Sequence, residues 1–116
     1  MTRALLVVPL AALLAVPAAA APPSRLQVVA REFSFALSRQ RLRAGPAIVE
    51  LVNFGEDAHD LRLRRVGGTR IQSIGVVLPG GHAALRARLA PGRYVLWCSI
   101  ADHRARGMHA TLAVRR

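Results

Sequence analysis

The stretch Ala90-Pro91-Gly92-Arg93-Tyr94-Val95-Leu96-Trp97-Cys98-Ser99-Ile100-Ala101-Asp102-His103-Arg104-Ala105-Arg106-Gly107-Met108 decides how this chain is read. Pro91-Gly92 marks a turn, and the apolar and aromatic run Tyr94 to Cys98 has the length of a strand. By the two-residue period of a strand, Tyr94, Leu96 and Cys98 share one face, while Arg93, Val95 and Trp97 share the other. The first face is expected to pack the core. Trp97 is expected to look outward, as a partner-facing aromatic beside Cys98 or as cover for the strand. Cys98, His103 and Met108 then follow in a Cys-x4-His-x4-Met spacing. A loop of that length lets thiol, imidazole and thioether meet without bridging distant parts of a fold. Soft sulfur ligands suit Cu(I), and imidazole suits both copper oxidation states.

A trigonal site of that kind needs a second imidazole. His59 supplies it, at the end of the loop Asn53-Phe54-Gly55-Glu56-Asp57-Ala58-His59, which follows the strongest strand candidate. Taken singly, a cysteine or methionine reads as core filling and a loop histidine as surface. Together His59, Cys98, His103 and Met108 point to one copper ion. His82, behind Pro79-Gly80-Gly81, reads as a surface residue. His109 is expected to point away as the last strand begins, and neither is assigned as a ligand.

Outward from this core the pattern is all-β. Leu26 to Ala30 reads as a strand that Glu32 to Leu37 continues, and Ala44-Gly45-Pro46 as a turn. Ala47 to Asn53, Leu61 to Val66, Ile71 to Leu78, Ala83 to Leu89 and Ala110 to Val114 read as further strands, broken by Gly and Pro. The run Leu85 to Leu89 also has the composition of a helical turn. About seven or eight strands in roughly 95 residues is the spacing of a β-sandwich.

The chain has 116 residues, the size of one small domain. Residues 1–20 read as a secretory signal: Arg3 supplies the positive start, Ala4 to Val16 is apolar apart from Pro9, and small residues follow. Cleavage is expected after Ala20 or a residue to either side, leaving 21–116 as one domain with no further segment able to cross a bilayer. An uncleaved anchor fits less well, because the run is short for a span of about 20 residues and contains prolines. The 17 basic residues are all arginine, against 6 acidic ones, for a formal charge of +11. Scattered arginines with few aromatics argue against nucleic acid. They suit an acidic redox partner or peripheral contact with an anionic membrane. An exported protein with a single cysteine is unusual, since exported cysteines generally pair. Such a thiol is a liability unless it is buried or bound to something.

The motif from Ala90 to Met108 resembles the plastocyanin/azurin-like cupredoxins, whose shared pattern is Pro-Gly-x-Tyr-x-Phe-x-Cys, then His, then Gly-Met. Glu32-Phe33-Ser34-Phe35, Ala44-Gly45-Pro46, Asn53-x-Gly55 and His59 extend the resemblance over about residues 26 to 115. It implies a Greek-key β-sandwich, a type 1 copper near one end, and a periplasmic electron carrier; a monomer is expected. His59, Cys98 and His103 would be equatorial ligands and Met108 the weak axial one. It further implies that Asp60 hydrogen-bonds to Ser99, locking the two ligand loops, and that electrons leave through the edge of His103 within an apolar patch. Two positions depart from the pattern: Asp102 stands where a small residue often precedes the second histidine, and Ala110 where Gly is common. Asp102 is placed to alter the basicity of His103.

Other classes fit the same residues. A module that buffers or delivers copper would use the same four ligands. A thiol enzyme with Cys98 as nucleophile and His103 as base would leave His59 and Met108 idle. A metal-free β-sandwich for adhesion or ligand binding is the third alternative, and a colourless product on addition of Cu(II) would argue for it over the type 1 site.

Overall fold

Alternation between apolar and polar side chains sets which face of each strand is buried, and here it folds the chain into two stacked sheets. The computed structural model describes residues 1–15 and 21–116. The expected cleavage point after Ala20 falls on the segment 16–20, outside the described residues. Residues 1–15 are exposed and form neither helix nor strand. Among the described residues, no helix is long and apolar enough to cross a membrane.

The elements are β1 Ser24–Arg31, β2 Ser34–Leu37, β3 Arg41–Arg43, β4 Gly45–Asn53, β5 His59–Arg65, β6 Ile71–Val77, β7 His82–Leu89, β8 Gly92–Trp97, the single turn α1 His103–Arg106, and β9 His109–Arg115. One sheet has the order β2-β1-β4-β7 and the other β3-β9-β8-β5-β6. The chain passes repeatedly between them, and β1 with β4 and β3 with β9 are parallel pairs. Leu26, Val28, Val49 and Leu51 from the first sheet meet Leu61, Leu63, Leu96 and Leu112 from the second in one core. Each of these is at most 1% exposed, so the β-sandwich read from the sequence is the observed architecture.

Two details differ from the sequence reading, and at a third position the strand reading holds over its helical alternative. The run Glu32 to Leu37 does not prolong β1 but turns back at Glu32-Phe33 and pairs antiparallel with it, Ala30 opposite Phe35. No Gly or Pro marks the turn; its only trace is a one-residue shift in the alternation, from Leu26, Val28 and Ala30 to Phe33, Phe35 and Leu37, across the exposed pair Arg31-Glu32. The three-residue β3, too short to show a period, aligns parallel to the end of β9 and brings the count above the expected seven or eight. Leu85 to Leu89 is strand, paired along β4 from Gly45–Leu89 to Val52–His82.

Candidate metal centre

Two loops at one end of the sandwich carry the site. The first joins β4 to β5 and is held by Asn53, which is fully buried. Its Nδ2 donates to the carbonyls of Asp57 at 2.8 Å and Val77 at 2.9 Å, and its Oδ1 accepts from the Gly55 amide at 2.8 Å. The second joins β8 to β9. There the Cys98 amide donates to the Met108 carbonyl and the Met108 amide to the His103 carbonyl, both at 3.1 Å. Gly107 adopts φ +128°, and a Cβ there would lie 2.7 Å from the Phe33 carbonyl oxygen. The Gly before Met108 therefore serves both backbone conformation and close approach.

These loops bring His59, Cys98 and His103 together. One donor atom from each lies within 4.8 Å of the others, and all three residues are buried. Cys98 Sγ stands 3.7 Å from His103 Nδ1, and the two imidazole centroids are 5.0 Å apart. Met108 is fully buried and tied by its backbone to both Cys98 and His103. His82 is exposed beside Glu50, and His109 lies on the exposed face of β9. Neither belongs to the cluster.

The expected lock between the loops is present. Asp60 Oδ1 accepts from the Ser99 amide at 2.6 Å, and its Oδ2 accepts from the Ser99 hydroxyl. An irregular register between His59 and Leu61 makes this possible. Strict alternation would turn Asp60 to solvent, yet His59, Asp60 and Leu61 are all buried. Trp97 does lie on the outer face of β8, but it is not a surface aromatic. It is 8% exposed, with the Arg104 guanidinium 4.7 Å above its ring. Asp102, the departure beside His103, accepts from Arg106 Nε at 2.8 Å. That bond holds its carboxyl below the usual range.

Sequence reasoning did not single out Glu32 as a site residue. Its Oε1 accepts from the amides of Asp57 at 2.6 Å and Glu56 at 2.8 Å and lies 2.9 Å from His59 Nε2. The two amides, with the His59 bond added, hold the carboxyl down to about 2. A Cβ on Gly55 would collide with this carboxylate, which explains the Gly of the Asn53-x-Gly55 motif. A carboxylate on Nε2 places the ring proton there and leaves Nδ1 with a free lone pair. Nδ1 of His59 is indeed buried without a hydrogen-bond partner. An orphaned buried nitrogen is costly unless something satisfies it, and a metal ion in the cluster would do so. Cys98 is fully buried, and burial pushes its thiol up, neither of which suits a nucleophile.

No protein-family model matches the chain, and no curated protein matches it in sequence. Solved structures do match in shape. Auracyanin A, a "blue" copper protein from Chloroflexus aurantiacus, aligns with TM-score 0.66 at 14% identity, covering 81% of this chain and 100% of that one. A purple cupredoxin from Nitrosopumilus maritimus aligns at 0.56 and 16%, covering 76% and 97%. The copper-containing nitrite reductase of Thermus scotoductus aligns at 0.58 and 26%, covering 94% of this chain but 27% of the reductase. The chain has the cupredoxin fold. At the end of that fold formed by the two loops it carries a buried His–Cys–His cluster able to hold a metal ion.

Proposed function

We propose that the protein is an exported type 1 copper protein that carries single electrons between redox partners in the cell envelope. His59, Cys98, His103 and Met108 would hold the ion. The observation that carries this reading is the convergence of three buried donor atoms, with His59 Nδ1 left free by the bond from Glu32. Auracyanin A, a "blue" copper protein on the same fold, supports copper as the metal. Copper bound there supplies one-electron chemistry between its two common oxidation states.

The chain's own residues do the rest. Asn53, Glu32 and the Asp60–Ser99 lock fix the donor positions before any metal arrives, so a change of oxidation state meets a frame that moves little. Four protein donors leave no open position for a substrate, which favours a carrier over an enzyme. Phe33 packs on His103 with centroids 5.1 Å apart, and Phe54 is exposed nearby, giving the ligand edge an apolar surround. Arg31, Arg104 and Arg106 lie over Phe54, Trp97 and Phe33. These cations suit a redox partner with an acidic docking surface. Residues 1–20 serve as the export signal, and 21–116 act in the periplasm as a monomer.

Titration of metal-free protein with Cu(II) tests the site, and repeated reduction and reoxidation tests the carrier role. Reversible bleaching and recovery of an intense blue colour, with copper retained, is the expected result. Loss of copper to a chelator on each reduction would favour a copper-delivering module instead.

A further inference from the structure

Negative charge is confined almost wholly to one end of the sandwich, where it is interspersed with Arg31, Arg104 and Arg106. Of the acidic residues, all but Glu50 (Glu32, Glu56, Asp57, Asp60 and Asp102) lie at the metal end. The opposite pole is formed by the starts of β1, β4, β6 and β8 and the ends of β5, β7 and β9. It carries Arg25, Arg41, Arg70, Arg86, Arg88 and Arg115 among others, and no acidic side chain among the described residues. In this pole a cleft of about 260 Å³ opens between the β5–β6 hairpin and β7. Its buried floor is Leu63, Leu89 and Tyr94, and its rim is Arg65, Arg70 and Arg88. Beside it Val66 and Ile71 stand 52% and 47% exposed.

We infer that this pole is a docking surface for an anionic lipid bilayer, and that it holds the metal end turned away from the membrane. Guanidinium groups match lipid phosphates as paired donors, and a basic surface gains from the negative potential of such a membrane. Arg65, Arg70 and Arg88 at the rim of the cleft would meet the headgroups, and the exposed Val66 and Ile71 beside them stand where the acyl region begins. An acidic protein partner would need no exposed apolar pair such as Val66 and Ile71 beside the cations. The inference is independent of which metal the opposite end takes.

The test uses the exported, processed protein and sedimentation with vesicles of phosphatidylcholine containing about one-third phosphatidylglycerol. Binding is expected to these vesicles and not to pure phosphatidylcholine, and to be lost at about 0.5 M salt, where the screening length falls to a few ångströms. Replacing Arg70, Arg86 and Arg88 together by Gln should weaken it about a hundredfold, at about fivefold for each charge. Replacing Arg31 and Arg104 by Gln should leave it within about twofold, because these lie at the other end. Trp97, the sole tryptophan, lies towards the metal end and should stay unquenched by bromine-labelled acyl chains. Equal losses in both variants would reduce the effect to net charge and overturn the inference. So would quenching of Trp97, or retention by immobilised acidic protein with no binding to the anionic vesicles.

Discussion

Glu32 is the residue on which the geometry of His59 turns. One carboxylate oxygen collects two loop amides and the Nε2 edge of the ring, so a single side chain both closes the loop and sets the tautomer. Replacing it with Gln keeps the shape but weakens an acceptor of three donors. In metal-loaded protein the visible spectrum of Glu32→Gln should shift while copper is still bound; an unchanged spectrum would show that His59 is oriented by other means. The carboxyl is depressed from 4.5 to about 2 in the folded state, so the unfolded chain binds its proton at higher pH than the folded one. The stability it contributes is present above about pH 4.5 and fades as pH falls towards 2. Acid unfolding of metal-free protein, followed by circular dichroism, should therefore begin at higher pH in the wild type relative to neutral stability than in Glu32→Gln, whose curve should be flatter across that window. Glu32 was not legible as a site residue because its partners lie more than twenty positions away, and no spacing rule connects a turn carboxylate to them. His59, Cys98 and His103 were legible because the chemistry of the residue types limits what can bring them together.

Between elements, the two ligand loops are joined by Asp60 and Ser99. Replacing Asp60 with Ala leaves the Ser99 amide and hydroxyl without their partner, at a cost of about 1–3 kcal/mol, measurable as a lower midpoint in denaturant. The same variant should lose copper faster to a chelator, since the lock sets the spacing of the donors. Gly107 belongs to this scale as well. Alanine there meets both an unfavourable positive φ and the Phe33 carbonyl, so Gly107→Ala should cost about 1–3 kcal/mol and disturb the β8–β9 loop. If thermal melting of Gly107→Ala matched the wild type, the close approach to Phe33 would not be what requires glycine. Strands with five or more alternating residues were readable from the sequence. The short β3 was not, since three residues carry no period and its parallel pairing with β9 depends on the closed sandwich. The fold of β2 back onto β1 left only a one-residue shift in the alternation at Arg31-Glu32, without Gly or Pro, and such a shift reads as a bulge in one strand as readily as a reversal.

At the scale of the whole molecule, the core is one layer of aliphatic side chains between two sheets, and the site is built on its rim. Val49 and Leu51 are fully buried on the central strand β4. Truncating Leu51 to Ala should destabilise the domain by about 2–5 kcal/mol, and with it the loop whose base is Asn53. The sandwich was expected from strand spacing and Gly/Pro punctuation, but the segregation of charge was not, because arginines scattered in sequence converge at one pole only after the strands are laid side by side. Copper loading tests the central claim most directly, as stoichiometry and colour in metal-free wild type and in Cys98→Ser. One Cu(II) per chain with intense blue absorption in the wild type, and no such absorption in Cys98→Ser, is the predicted result. A wild-type protein that stays colourless after Cu(II) addition, or that colours equally without the thiol, would contradict a site made by His59, Cys98, His103 and Met108.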